Sequence, residues 1–195
     1  MSKNIFVTRK IPDNAISILK EHGFEVDISP FDRVLTQAEI IDFLSKKEYD
    51  GVISLLTDTV DKNIFEKAKS VKIFANYATG FDNINLEDAK AYGVTITNAP
   101  APLSALAVAQ HTIGVLLALS SRIVEADHFV RSGKYVGWEP MHFLGTDFLG
   151  KTLGLVGAGR IGEQVAFYAK GLGLKIMYTD ISQNEKLEKE YGAVY

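Results

Sequence analysis

Residues 151–162 read Lys-Thr-Leu-Gly-Leu-Val-Gly-Ala-Gly-Arg-Ile-Gly, and this stretch decides the predicted fold. Residues 153–156 have the pattern of a short buried strand. Gly157 would allow a sharp turn at its end, Gly159 would leave room for a pyrophosphate beside the backbone, and Gly162 would let a following helix pack close to the strand. The stretch therefore predicts a phosphate-binding turn between a strand and a helix.

The residues that follow extend this pattern to a dinucleotide site. Arg160 and Ile161 open the predicted helix, whose N–H groups and positive dipole end would face the phosphates. Arg160 is predicted to contact the pyrophosphate, although a solvated helix-start residue is the alternative. A second strand ends at Asp180, eighteen residues after Gly162, where a carboxylate can accept hydrogen bonds from a ribose and repel a 2′-phosphate. NAD is therefore the predicted cofactor, and a glycine turn in another α/β unit is the alternative.

Composition excludes several other classes of protein. The chain has 195 residues, 47% of them hydrophobic and 23% charged, with a net charge of −3 and scattered basic residues, so no nucleic-acid surface is predicted. With no cysteine, neither disulfides nor thiolate chemistry is expected, which fits a reducing cytoplasm. No signal segment is visible, and the apolar run at 108–119 is expected to be too short for a membrane span. No metal site is predicted.

The order of elements predicts an α/β fold. Short apolar strands alternate with amphipathic helices up to residue 97, which indicates a flavodoxin-like doubly wound domain. Thr36 followed by Glu39 predicts a capping box. The two prolines within residues 98–102 mark a domain boundary, so we assign residues 1–100 to one domain and 101–195 to the first half of a Rossmann domain. Ser104 is predicted to cap one long helix running to about Gly133.

Five motifs occur in order along the chain: NYATGFDNI at 76–84, VTITNAP at 94–100, VAQH at 108–111, FLG at 143–145 and GAGRIG at 157–162. Together they resemble the D-isomer-specific 2-hydroxyacid dehydrogenase family, and within it the glyoxylate and hydroxypyruvate reductases. The resemblance covers the whole chain and implies a substrate domain followed by an NAD(H)-binding domain.

The resemblance implies a set of site residues. The turn of Ala78, Thr79 and Gly80 would bind a substrate carboxylate through backbone N–H groups, and Leu56 and Thr57 would face the same site. A turn in which Gly80 only supplies a positive φ is the alternative. Val108 would pack against the nicotinamide, and an ordinary buried helix position is its alternative. The family usually has an acidic residue where Gln110 stands.

The family's catalytic arginine, histidine and glutamate fall beyond Tyr195, so no catalytic residue is assigned here. We therefore expect a truncated or split form of a dehydrogenase for small 2-keto acids, with little turnover alone and an open edge on the strand at 153–156. A dinucleotide-binding sensor or scaffold, or half of a split enzyme, is the alternative. A homodimer is expected, with Trp138 either an interface anchor or an ordinary loop residue.

Overall fold

The computed structural model describes residues 2–195, and the chain divides into two compact units, residues 1–100 (unit 1) and 101–195 (unit 2). The elements of unit 1 are β1 (Asn4–Val7), α1 (Asp13–Glu21), β2 (Glu25–Ile28), α2 (Gln37–Lys46), β3 (Gly51–Leu55), α3 (Lys62–Lys67), β4 (Ile73–Tyr77), α4 (Leu86–Ala91) and β5 (Thr95–Asn98). Those of unit 2 are α5 (Pro102–Ser120), α6 (Ile123–Arg131), β6 (Thr152–Val156), α7 (Arg160–Gly171), β7 (Lys175–Thr179) and α8 (Glu185–Tyr191).

Unit 1 is a parallel five-stranded sheet in the order β2-β1-β3-β4-β5, which is the flavodoxin-like order. Both faces of the sheet carry apolar clusters. Ile5 and Val7 pack with Ile16 of α1 on one face, whereas Phe6 and Phe74 belong to the larger cluster on the other. The inner strands are apolar because helices cover both faces. The predicted α/β class is confirmed.

Helix α2 begins with the predicted capping box. Thr36 Oγ1 accepts a hydrogen bond from the Glu39 N–H at 3.3 Å, and Glu39 Oε2 accepts one from the Thr36 N–H at 2.8 Å. The Glu39 carboxylate also pairs with Arg33 at 2.6 Å. The Arg33 guanidinium, and after it the backbone and side chain of Thr36, donate hydrogen bonds to this carboxylate, so the pKa of Glu39 falls to about 2.

Unit 2 contains a two-stranded parallel sheet, in which β6 pairs with β7 from Thr152 opposite Lys175 to Val156 opposite Thr179. Helix α7 connects the two strands and packs against α5 through a buried cluster of Ala109, Ile113, Val165 and Ala169. Within the described part of unit 2, no second strand pairs with β6, and Val156 is 95% exposed.

The single long helix predicted from Ser104 to Gly133 is wrong. Helix α5 begins at Pro102, with Ala101 as its N-cap, and ends at Ser120; α6 begins at Ile123. Arg122 breaks the helix with φ 55°, a left-handed conformation that costs a residue with a side chain roughly 1–2 kcal/mol. The Ser120 carbonyl instead accepts the Thr146 N–H at 2.8 Å, so a distant segment stabilises the break.

The apolar segment of helix α5 is longer than the run at 108–119 that the sequence analysis considered. By length and composition, residues 103–120 qualify as a candidate membrane span, so the expectation of too short a segment is wrong. Core helices of soluble proteins pass the same test, although only 11% of this window is buried here. Together with α6 and the loop to residue 149, α5 exposes large apolar side chains, including Leu119, Val124, Trp138 and Met141.

We predict that Glu39→Gln makes the thermal stability of unit 1 less dependent on acid pH. Glutamine preserves the cap but removes the charge that pairs with Arg33. Since the pKa of Glu39 is lowered from 4.5 to about 2, its stabilising effect is present above pH 4.5 and is lost as the pH falls through about 2. The difference in melting temperature between wild type and variant, followed by circular dichroism, should therefore shrink on acidification.

Glu87→Gln is the matched control for this experiment, because Glu87 also lies in the first turn of a helix and has no ion pair within residues 2–195. An equal pH dependence in both variants would contradict the role given to Glu39.

Candidate functional site

The glycine turn between β6 and α7 has the geometry that the sequence predicts. Gly157 has φ +98°, which glycine adopts without strain. A Cβ on Gly162 would lie 2.3 Å from the Gly157 carbonyl oxygen, so only glycine allows this approach of helix to turn. A Cβ on Gly159 would meet no protein atom within 4 Å, so the space beside this backbone is open.

The first turn of α7 offers unpaired backbone donors. Gly159 is its N-cap and has no side chain with which to cap it. Within residues 2–195, no acceptor takes the N–H of Gly159, Arg160 or Ile161. These donors lie at the positive end of a twelve-residue helix, an arrangement suited to a phosphate group.

Asp180 follows β7 directly and binds the glycine turn. Its Oδ2 accepts the Ala158 N–H and its Oδ1 accepts the Ile181 N–H, both at 2.6 Å. The hydrogen bonds from these two backbone N–H groups lower the pKa of Asp180, and the larger effect comes from Ala158. The group is therefore a carboxylate at neutral pH. Each oxygen has a second lone pair, so the carboxylate can also accept hydrogen bonds from a ligand hydroxyl.

Val108 and Gln110 lie on α5. Val108 is 47% exposed, which argues against the alternative of an ordinary buried helix position. Gln110 Nε2 donates to the Tyr168 hydroxyl at 3.0 Å and so joins α5 to α7. This residue, which departs from the family pattern, therefore has a structural partner in unit 2.

In unit 1, two turns lie side by side at the carboxyl edge of the sheet. Leu55 of β3 pairs with Tyr77 of β4, so the segments that follow the two strands begin at the same level. Leu56 and Thr57 in the first turn are both exposed, with Leu56 at 65%. The pairing brings Leu56 and Thr57 to the same sheet edge as residues 78–80.

The turn at residues 78–80 has engaged carbonyls and unpaired N–H groups. The Thr79 carbonyl accepts from Asn98 Nδ2 at 2.7 Å, and the Gly80 carbonyl accepts from Asn76 Nδ2 at 3.0 Å. Across the described chain, the N–H groups of Thr79 and Gly80 have no acceptor. Gly80 does not have a positive φ, so the alternative that it only supplies one is wrong. Two adjacent N–H donors can bind a carboxylate.

Sequence reasoning missed the polar residues beneath these turns. Thr8, Ser54, Asp58 and Asn76 are all buried, and no buried side-chain polar atom of residues 2–195 is left without a hydrogen-bond partner. The available signal was a polar residue inside an apolar strand, as with Asn76 in the sequence IFANY.

Within residues 2–100, the single histidine hydrogen-bonds with neither turn. His22 Nδ1 lies 2.8 Å from the Ile18 carbonyl at the end of α1. In unit 2, His142 contacts the rings of Phe129 and Phe143 and lies 3.6 Å from Glu139, beside a cavity of about 240 Å³ that Trp138 also lines. No group of three potential metal ligands occurs in the part of the chain that the structure describes.

The chain belongs to the D-isomer specific 2-hydroxyacid dehydrogenase family, whose catalytic-domain model matches residues 5–190. It is 41% identical to a glyoxylate reductase of Thermococcus kodakarensis, with 100% of this chain and 59% of the relative aligned. The resemblance found in the sequence is thereby confirmed.

Two solved structures share the fold. One, assigned as an NAD-binding D-isomer specific 2-hydroxyacid dehydrogenase from Polaromonas sp. JS6 66, has a TM-score of 0.89 and 29% identity over 100% of this chain and 60% of its own. The other is D-lactate dehydrogenase from Aquifex aeolicus complexed with NAD and lactic acid, with a TM-score of 0.77 and 26% identity over 99% and 55%. The chain spans 57–59% of the length of the glyoxylate reductases it matches.

We predict that Gly162→Ala destabilises unit 2 by about 2 kcal/mol, because the new methyl group overlaps the Gly157 carbonyl. Urea unfolding of unit 2, followed by resolved amide resonances, measures this loss. Gly171→Ala is the control, since a Cβ there meets no atom within 4 Å and alanine favours the helix. Equal stability of the two variants would contradict the close packing at Gly162.

Proposed function

We propose that this chain carries the binding parts of an NAD-dependent 2-hydroxyacid dehydrogenase that reduces a small 2-keto acid such as glyoxylate or hydroxypyruvate. Unit 1 would bind the substrate and unit 2 the cofactor. The observation that carries the proposal is the pair of unpaired N–H groups at Thr79 and Gly80, placed where the family resemblance puts the substrate carboxylate. Leu56, Thr57 and Ala78 would complete that site.

The residues of unit 2 fit NAD. Gly157, Gly159 and Gly162 shape an open turn, and the N–H groups of Arg160 and Ile161 would bind the pyrophosphate. Asp180 would accept the hydroxyls of the adenosine ribose, and its negative charge would disfavour NADP. Val108 would pack against the nicotinamide. When bound as NADH, the cofactor supplies the hydride for reduction of the keto group.

Turnover needs groups that these residues do not provide. Reduction requires a cation that polarises the carbonyl, a proton donor and a carboxylate that orients the donor. The resemblance implies that the family's arginine, histidine and glutamate fall beyond Tyr195, so we propose binding with little turnover for this chain alone. A dinucleotide-binding sensor or scaffold, or half of a split enzyme, is the second candidate, favoured by the open backbone donors at the start of α7. The lack of cysteine fits a cytoplasmic site of action.

Calorimetric titration tests the cofactor proposal. We predict that the chain binds NADH more tightly than NADPH, and that Gly159→Ala weakens NADH binding at least tenfold because its methyl group occupies the open space beside the turn. Circular dichroism should be unchanged, since no protein atom lies near that methyl group. Gly171→Ala should bind as wild type does. Failure to bind NADH, or equal affinity of Gly159→Ala and wild type, would contradict the assignment, whereas rapid glyoxylate reduction would refute only the lack of turnover.

We also propose that the chain forms a homodimer through the apolar surface of unit 2. Trp138 is 80% exposed, and Leu119 and Val124 are each more than 70% exposed. Exposed aromatic and aliphatic side chains of this density are typical of interface cores. Trp138 would then be an interface anchor, one of the two roles that the sequence analysis left open for it.

We predict that Leu119→Lys shifts the dimer toward monomer in sedimentation velocity, because a buried unpaired ammonium opposes association. Ile18→Lys is the matched control, since Ile18 is 54% exposed on α1 in unit 1 and should leave the dimer intact. A wild-type chain that sediments as a monomer at all accessible concentrations would exclude the interface.

A further inference from the structure

Two asparagines of unit 1 bind each other through both halves of their side-chain amides. Asn76, 2% exposed at the end of β4, donates from Nδ2 to Asn83 Oδ1 at 2.9 Å. Asn83 returns a longer contact of 3.4 Å from Nδ2 to Asn76 Oδ1, which also accepts the Ser54 hydroxyl at 3.2 Å. Reciprocal hydrogen bonds of this kind keep both side-chain amides in one orientation.

The asparagine pair also holds backbone carbonyls of both turns. Asn83 Nδ2 donates to the carbonyls of Leu55 at 3.1 Å and Asp58 at 2.9 Å, on either side of Leu56 and Thr57. Asn76 Nδ2 donates to the Gly80 carbonyl at 3.0 Å. One amide pair therefore connects the turn after β3 with the turn after β4.

The buried side chain of Asp58 also fixes the turn after β3. Asp58, 3% exposed, accepts the Leu55 N–H at 2.8 Å and the Thr8 hydroxyl at 2.6 Å, both through Oδ2. A carboxyl group without hydrogen-bond partners would be costly at this depth, and these two donors supply its partners. Since Thr8 follows β1, the contact ties the turn to a third strand of the sheet.

We propose that Asn76, Asn83 and Asp58 are positioning residues, which hold the two turns so that N–H groups rather than carbonyls are presented to the carboxylate of a 2-keto acid. This inference rests on the proposed function of the turn at 78–80. A peptide group presents either its N–H or its carbonyl oxygen to a ligand, and a carbonyl would repel an anion. The carbonyls that share peptide groups with the Thr79 and Gly80 N–H groups are those of Ala78 and Thr79, which accept from the Ala99 N–H at 2.8 Å and from Asn98 Nδ2 at 2.7 Å. Asn76 holds the next carbonyl, that of Gly80, so the end of the turn is also fixed before binding and the donors need not reorganise.

Nuclear magnetic resonance on the full 195-residue chain separates positioning from general stability. Oxamate, an unreactive 2-keto acid analogue, is titrated while the amide signals of Thr79 and Gly80 are followed, and backbone order parameters are measured without ligand. The variants are Asn83→Ala and the milder Asn83→Ser. Ile40→Ala is the control, because Ile40 is 1% exposed on α2 and lies outside the network.

We expect both Asn83 variants to weaken oxamate binding at least tenfold and to lower the order parameters of Thr79 and Gly80 from about 0.85 toward about 0.6. Ile40→Ala should lower the melting temperature and change neither quantity. Asn83 variants with rigid turns and unchanged oxamate affinity would overturn the inference. If wild type shows no oxamate shifts at these amides, the carboxylate assignment fails, and the order parameters still decide whether the network holds the turn.

Discussion

The parallel pairing of β3 with β4 places Leu55 opposite Tyr77, and the two turns of unit 1 start from this register. A slip of one residue would move the buried Asn76 to the opposite face of the sheet and separate its amide from Asn83. The apolar neighbours of the two strands oppose such a slip, because Phe74 and Val52 are fully buried on the core face. Packing on that face therefore also fixes the polar contacts at the sheet edge.

Both candidate sites use backbone donors at the end of a parallel strand. In unit 1 the donors follow β4, and in unit 2 they follow β6, where Gly159 and Gly162 shape the turn. Backbone N–H groups do not titrate, and most side-chain substitutions leave them in place. The specificity of such sites therefore depends on the residues that orient the peptide groups. In unit 1, Asn98 and Asn76 donate to the carbonyls of Thr79 and Gly80, and in unit 2, Asp180 accepts the Ala158 N–H.

The sequence was most informative where local chemistry determines structure. The capping box at Thr36, the glycine turn and the start of α7 all depend on residues within one turn of each other, and the structure has them as predicted. The break at Arg122 could not be predicted, since neither glycine nor proline marks it and the stabilising contact comes from Thr146, more than twenty residues away. The hydrogen-bonded amide pair of Asn76 and Asn83 could likewise not be predicted, because the contact between the two residues depends on the strand register.

Trp138 is the only tryptophan of the chain, and it projects from the exposed loop of unit 2. Tryptophan emission therefore samples the polarity around one loop of unit 2. Unfolding curves recorded by this emission describe the surroundings of that loop rather than the whole molecule. Since Phe129, His142 and Phe143 line the same cavity, anything that covers it changes the solvent around the indole, which makes the ring a natural optical probe of that surface.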